Sequence, residues 1–256
     1  MKINNILKRK NNSKKGDHGR VLIVGGSEKY VGALTLAGIA ALRITDWVTI
    51  AAPEKVAWAI NTLSPDLVTV KLKGTHIQSS HIKKLTRLAK GHDVLLLGIG
   101  MGLTSNSTAR ALAKLPLPKV IDADALKAVS IKQTKNAILT PHQKEFTTLL
   151  KNSKLNKNNF QKELKENILL IKGPRDFIFS QKKQKINNKG NPGMTRAGTG
   201  DVLAGVIAGL LARKVSLFNA ADQGVLLTTK AADQLNKKHK YCYLASELAD
   251  DIKRYI

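Results

Sequence analysis

The stretch that most constrains the fold runs Asn191-Pro192-Gly193-Met194-Thr195-Arg196-Ala197-Gly198-Thr199-Gly200-Asp201-Val202-Leu203-Ala204-Gly205 and continues, apolar and small, to Ala212. No proline interrupts residues 201–212, and the glycines there are Gly205 and Gly209. The pattern predicts a glycine-broken loop that delivers Gly198-Thr199-Gly200 onto the first turn of a buried helix. Unpaired N–H groups and the positive dipole end at such a start favour an anion. Glycines at 198 and 200 remove the side chains that would keep a phosphate from the backbone. Asp201, in the same turn, has two readings. It caps the helix, or it is a general base that draws a proton from a hydroxyl as that oxygen attacks a phosphoryl group.

Elsewhere, short apolar runs alternate with helical patterns. Residues 21–24 read as a buried strand stopped by Gly25-Gly26-Ser27, and 32–46 as an Ala- and Leu-rich helix. The glycines there do not follow G-x-G-x-x-G, so the dinucleotide fingerprint is absent. Further strands are expected at 47–51, 67–72, 93–97, 119–122, 137–140 and 167–171. Helices are expected at 54–61, 79–90, 105–114, 125–129, 217–235 and 244–255. Residues 177–180 and 185–188 read as a hairpin. The alternation argues for a parallel α/β three-layer sandwich.

Strand ends collect the remaining polar signals. Gly98-Ile99-Gly100-Met101-Gly102 either admits a ligand close to the backbone or is an ordinary tight turn. Asp122 and Asp124 point the same way if their strand continues, and would then hold hydrated Mg²⁺ or polar substrate groups; alternatively Asp124 caps a helix. Thr140-Pro141-His142-Gln143-Lys144-Glu145-Phe146 starts a helix, with His142 and Glu145 on one face. Lys172-Gly173-Pro174-Arg175-Asp176 ends another strand.

At 256 residues with 43% hydrophobic content, one domain over 1–256 is expected, with 1–14 as a basic flexible arm. Lysines and arginines number 43 against 18 acids, a formal charge of +25. Such a field favours polyanions. Aromatics are only 4%, which leaves few platforms for stacked bases. The charge is also dispersed, so a basic solvated face serving negative substrates is preferred to specific nucleic-acid recognition. Cys242 is the single cysteine, which excludes an internal disulfide and a cysteine metal site. The N-terminal residues lack the apolar core of a signal peptide, no apolar run is long enough to span a bilayer, and the expected compartment is the cytoplasm. Gly205 and Gly209 read as close packing of soluble helices.

Four separated motifs resemble, in order, the ADP/ATP-dependent NAD(P)H-hydrate dehydratases of the ribokinase-like superfamily. They are Val-Leu-Ile-Val-Gly-Gly-Ser-Glu-Lys-Tyr-Val-Gly-Ala from Val21, the Gly98–Gly102 turn, Pro141-His142-x-x-Glu145, and Ala197-Gly198-Thr199-Gly200-Asp201. The resemblance runs from about Lys15 to Ile252. It implies a ribokinase-like α/β/α sandwich and a lyase that restores NADH or NADPH from the S-epimer of its hydrate, by phosphorylating the ring hydroxyl and eliminating phosphate. It implies Asp201 as base, Ala33, Gly100, Gly102 and His142 toward the hydrated nucleotide, and Lys172–Asp176 with Gly198, Thr199 and Gly200 toward ADP or ATP. Glu145, with Asp122 and Asp124, would organise Mg²⁺ indirectly. A homotetramer and a separate epimerase partner are further implications. The chain departs from the family pattern at Ile99 (usually Pro), Lys144 (usually Gly) and Asp176 (usually Thr).

Overall fold

A computed structural model describes residues 8–256 of the chain. In chain order its strands are β1 (Arg20–Val24), β2 (Trp47–Pro53), β3 (Val68–Leu72), β4 (Val94–Leu97), β5 (Lys119–Ile121), β6 (Ala137–Leu139), β7 (Ile168–Ile171), β8 (Asp176–Phe179) and β9 (Gln184–Asn187). The helices are α1 (Val31–Leu42), α2 (Glu54–Leu63), α3 (Ile82–Ala89), α4 (Asn106–Ala113), α5 (Gln143–Ser153), α6 (Thr199–Ala212), α7 (Leu217–His239) and α8 (Ala245–Asp251). All nine strands form one sheet, in the order β3-β2-β1-β4-β5-β6-β7-β8-β9. From β1 to β7 every pairing is parallel, while β8 and β9 close the edge as the expected hairpin, antiparallel.

Strand side chains alternate between two apolar layers. Val21, Ile23, Val94, Leu96 and Leu170 face α1, α2, α6, α7 and α8; Leu22, Val24, Leu95, Leu97 and Leu169 face α3, α4 and α5. Because both faces are covered, the strands read as continuous apolar runs rather than alternating ones. The result is the expected three-layer sandwich with a mainly parallel centre.

α6 is the buried helix of the small-residue stretch: 12 of its 14 residues are buried, leaving Gly200 and Asp201, both in the first turn, partly open to solvent. It packs tightly on α1, since a Cβ on Gly205 would stand 2.2 Å from the Ala37 carbonyl oxygen. The Gly205/Gly209 spacing therefore serves close soluble packing, as expected.

From β1 the chain steps outward through β2 to β3, then returns to β4 on the far side of β1. The strand order thus reverses between β1 and β4, where open α/β sheets leave a crevice beyond the strand ends. Here the two glycine turns meet: the Gly26 amide donates to the Ile99 carbonyl at 2.8 Å. The Ile99 side chain is fully buried.

The described part of the expected arm is tied down. Arg9 pairs with Asp46, whose carboxylate also accepts from the Gly16 and His18 amides, and Arg213 donates to the Lys8 carbonyl. The rest of that arm, residues 1–7, lies outside the described residues. The helix expected at 125–129 is a short 3₁₀ segment, Ala123–Lys127.

Candidate active site

Gly198 is the N-cap of α6, with φ 94, a conformation that favours glycine. A Cβ there would also stand 2.6 Å from Leu36 Cδ1. Asp201 lies in the first turn, three residues after the N-cap Gly198, so it is not the cap residue. Among the described residues no hydrogen bond engages its carboxylate. Burial, then repulsion from Asp122, pushes its pKa up to about 7, with Lys172 acting in the opposite direction. The buried Thr199 hydroxyl is a donor within reach of the Met194 and Arg196 carbonyls, at 2.6 and 2.9 Å, so its side chain shapes the loop. The Gly200 and Asp201 amides have no preceding helical turn to donate to and remain for an anion.

The end of β7 brings Lys172 to this amide end. Its own amide donates to the Pro141 carbonyl at 2.8 Å, and its Nζ lies 3.6 Å from where a Gly200 Cβ would be. Nζ donates to Asp122 Oδ1 at 2.7 Å, from the end of β5. Burial works against the ammonium, but Asp122, Glu145 and Asp201 outweigh it, and the Lys172 pKa is raised. Four groups from four elements therefore converge: Asp122, Glu145, Lys172 and Asp201. A proton acceptor near neutrality beside a fixed cation and free amides is suited to moving a hydroxyl proton while anionic charge develops alongside.

Asp122 and Asp124 do not act as a pair. The strand ends at Ile121, and Ala123 takes φ 51, which turns the chain before a shared face can form. Asp124 instead accepts from the Gly102 amide at 3.0 Å and from Lys127 Nζ at 2.7 Å. Gly98, Gly100 and Gly102 all have positive φ (116, 58 and 75), so this turn requires its glycines. A Cβ on Gly100 would collide with Tyr30, at 2.7 Å from its Cβ. Tyr30 precedes α1, and Ala33 sits half-buried in that helix's first turn.

His142 is the N-cap of α5. Its Nδ1 accepts from the Lys144 and Glu145 amides at 3.1 and 3.3 Å, and Glu145 Oε2 accepts in return from the His142 amide at 3.0 Å. This is a reciprocal capping box with histidine in the place of serine. Nδ1 thereby acts as the acceptor, while Nε2 lies 3.6 Å from Glu145 Oε1 on a side chain that is 53% exposed. Pro141 accordingly precedes the cap instead of opening the helix. Burial raises the Glu145 pKa, opposed by the His142 amide and reinforced by Asp122.

In the Lys172–Asp176 segment, Gly173, Pro174 and Arg175 are exposed, and Asp176 closes the turn by accepting from the Gly173 amide at 3.2 Å. Burial raises the Asp176 pKa. Sequence reasoning missed the brace beneath the α6 loop. Asn191 Oδ1 accepts from the Gly193 amide and from the buried Tyr243 hydroxyl, while Asn191 Nδ2 donates to Asp233. Asn-Pro was a usable turn signal for Asn191; nothing near Tyr243 announced its partner. Two surface cavities, of about 350 and 670 Å³, share no residue with this constellation, which lies at the strand ends.

A family model described as NAD(P)H-hydrate dehydratase matches residues 21–254. The chain is 38% identical over 253 residues to the bifunctional NAD(P)H-hydrate repair enzyme Nnr of Methanocaldococcus jannaschii, a match covering 96% of this chain and 50% of that protein. It is 31% identical over 260 residues to the ADP-dependent (S)-NAD(P)H-hydrate dehydratase of Cenarchaeum symbiosum, covering 96% and 91%. The chain thus spans about half the length of several curated relatives it matches. Among solved structures, the Bacillus subtilis ADP/ATP-dependent NAD(P)H-hydrate dehydratase co-crystallized with ATP/Mg²⁺ superposes with TM-score 0.79 at 25% identity, covering 97% of this chain and 92% of that one. The sandwich is ribokinase-like. On the match of residues 21–254, the chain belongs to the NAD(P)H-hydrate dehydratase family.

Proposed function

We propose that the chain dehydrates the S-epimer of hydrated NADH and NADPH, with ADP or ATP as phosphoryl donor. One observation carries this reading: Asp201, with its pKa near 7, stands beside Lys172 at the amide end of α6. The similarity to a relative named for this ADP-dependent dehydration, over nearly its whole length, supports it.

The ring hydroxyl attacks the donor's terminal phosphorus and gives its proton to the Asp201 carboxylate. The phosphoanhydride bond breaks, releasing AMP from ADP or ADP from ATP. The carbon–oxygen bond to the new phosphate then breaks with its electron pair on phosphate. The adjacent ring carbon loses a proton, and the double bond returns. Lys172 and the Gly200 and Asp201 amides hold the developing negative charge. Gly173–Asp176 would lie along the nucleotide. Ala33, the Gly100–Gly102 turn and the His142 ring edge would face the hydrated ring.

Mg²⁺ belongs to this proposal in a limited way. Among the described residues no three of His, Cys, Asp and Glu are placed to hold a metal ion, and Asp122 and Asp124 are each engaged by a lysine. That donor set fits an ion carried on the donor's phosphates and reached by Asp122 and Glu145 through water. When bound, the ion neutralises phosphate charge.

A tetrameric assembly, a cytoplasmic location and an epimerase acting alongside, outside these 256 residues, complete the proposal. No helix among the described residues is long and apolar enough to cross a membrane. The test is incubation with hydrated NADH and either ADP or ATP, following dihydronicotinamide absorbance and free phosphate together. Recovery of both supports the reading. A stable phosphate ester with no absorbance recovery would make the chain a kinase instead.

A further inference from the structure

A row of alternating charge leads away from Asp201. Lys172 faces Asp201, Asp122 and Glu145. Beyond Glu145 stands Lys127, whose ammonium pairs with Asp124 and also feels Glu145 and Tyr30. Lys127 closes the 3₁₀ segment after β5, and its carbonyl is anchored by Asn152 Nδ2 at 2.8 Å. Its side chain is 42% exposed, whereas that of Asp124 is 19% exposed. The ammonium is thus partly open to solvent beside Asp124, whose other oxygen is held by the Gly102 amide of the turn after β4.

The bonding leaves this cation with capacity to spare. An ammonium has three donors, and one is used on Asp124 Oδ1. The other Asp124 oxygen is taken by the Gly102 amide. Asp124 and Glu145 would, without Lys127, present two carboxylates to any anion entering here. The proposed substrate is a dinucleotide, so with its reacting ring at Asp201 its pyrophosphate would lie outside the Asp201–Lys172 cluster.

We propose that Lys127 is a second phosphate-binding position, distinct from Lys172, that takes the pyrophosphate of the hydrated dinucleotide. This rests on the dehydratase reading for the identity of the ligand. Lys172 would serve the transferred phosphoryl group, and Lys127 would hold the substrate in register.

The test compares wild type with Lys127→Ala and Lys127→Arg. The readouts are the KM for hydrated NADH, the KM for the phosphoryl donor, and the Kd of NADH itself from its intrinsic fluorescence. Lys127→Ala should raise the hydrated-NADH KM and the NADH Kd about 10-fold, the scale of one charge-assisted contact. Donor KM and kcat should stay within about 2-fold, and Lys127→Arg should restore binding. Reduced nicotinamide riboside, which lacks phosphate, should bind wild type and Lys127→Ala equally; a merely structural role would weaken both ligands alike. Unchanged NADH affinity in Lys127→Ala, or an equal loss for the riboside, would overturn the proposal. If wild type lacks dehydratase activity but NADH binding still depends on Lys127, the dehydratase reading fails and the anion position stands.

Discussion

Asp201 is the residue whose surroundings say most about its role. A first-turn carboxylate that capped its helix would be hydrogen-bonded, and hydrogen bonds would depress its pKa. Asp201 instead is not the cap residue and has its pKa pushed up to about 7 by burial and Asp122. This has a thermodynamic cost with a definite sign. The folded protein keeps the proton up to about 7, while the unfolded carboxyl loses it near 3.8. Between those values the folded state binds more protons, so this group's contribution to stability falls as pH rises through that window. Asp201→Asn removes the titration. The variant is predicted to be more stable than wild type at pH 8, by on the order of 1–3 kcal/mol, with a smaller advantage at pH 4. Denaturant midpoints at the two pH values check this; a gap that does not change with pH would contradict it. His142 shows a different case, in which the ring that caps α5 keeps an exposed edge. Nδ1 caps α5 while Nε2 lies 3.6 Å from Glu145 Oε1 on a side chain 53% exposed, so capping does not exclude the proposed ligand contact.

At the scale of elements, what was legible in the sequence depended on how far apart the interacting residues lie. The glycine-broken loop, the buried helix after it and the glycines at the end of β4 are local features, and each forms where its residues predict. The chain's turn at Ala123 was not legible. Non-glycine residues seldom adopt positive φ, so the sequence left open whether the strand continues past Asp122 or Asp124 caps a helix. That one torsion separates the two acids and sends them to different lysines. The Lys172–Asp122 pair joins residues from β7 and β5, and the Tyr243–Asn191 brace joins residues 52 apart; neither leaves a trace in any local pattern. The α1–α6 contact is the element on which the site's position depends. Gly205→Ala would push a methyl to 2.2 Å from the Ala37 carbonyl oxygen, a backbone atom that cannot rotate away. It should destabilise the protein by about 1–3 kcal/mol or more. Gly32→Ala, in α1 with nothing within 4 Å of the new Cβ, should be neutral or slightly stabilising. Thermal denaturation of the two variants makes the comparison. Equal tolerance at both positions would mean that the helices are not pressed together as described.

For the molecule as a whole, the reversal of strand order between β1 and β4 and the parallel run from β4 to β7 put every proposed site group at one end of the sheet. Asp122, His142 and Lys172 follow successive strands, and α6 returns across the sheet to add Asp201. The +25 charge fits this arrangement as a background field for the anionic substrates proposed; the cations proposed to order them are Lys172 and Lys127. The account's central claim is that Asp201 is the proton acceptor. The most direct measurement is kcat of Asp201→Asn with hydrated NADH and saturating donor near pH 7.5, on protein shown to be folded by its denaturation midpoint. Loss of the base predicts a fall in kcat of about 10²–10⁴-fold in a protein at least as stable as wild type. Near-wild-type kcat in the folded variant would contradict the claim and return Asp201 to the structure of the loop.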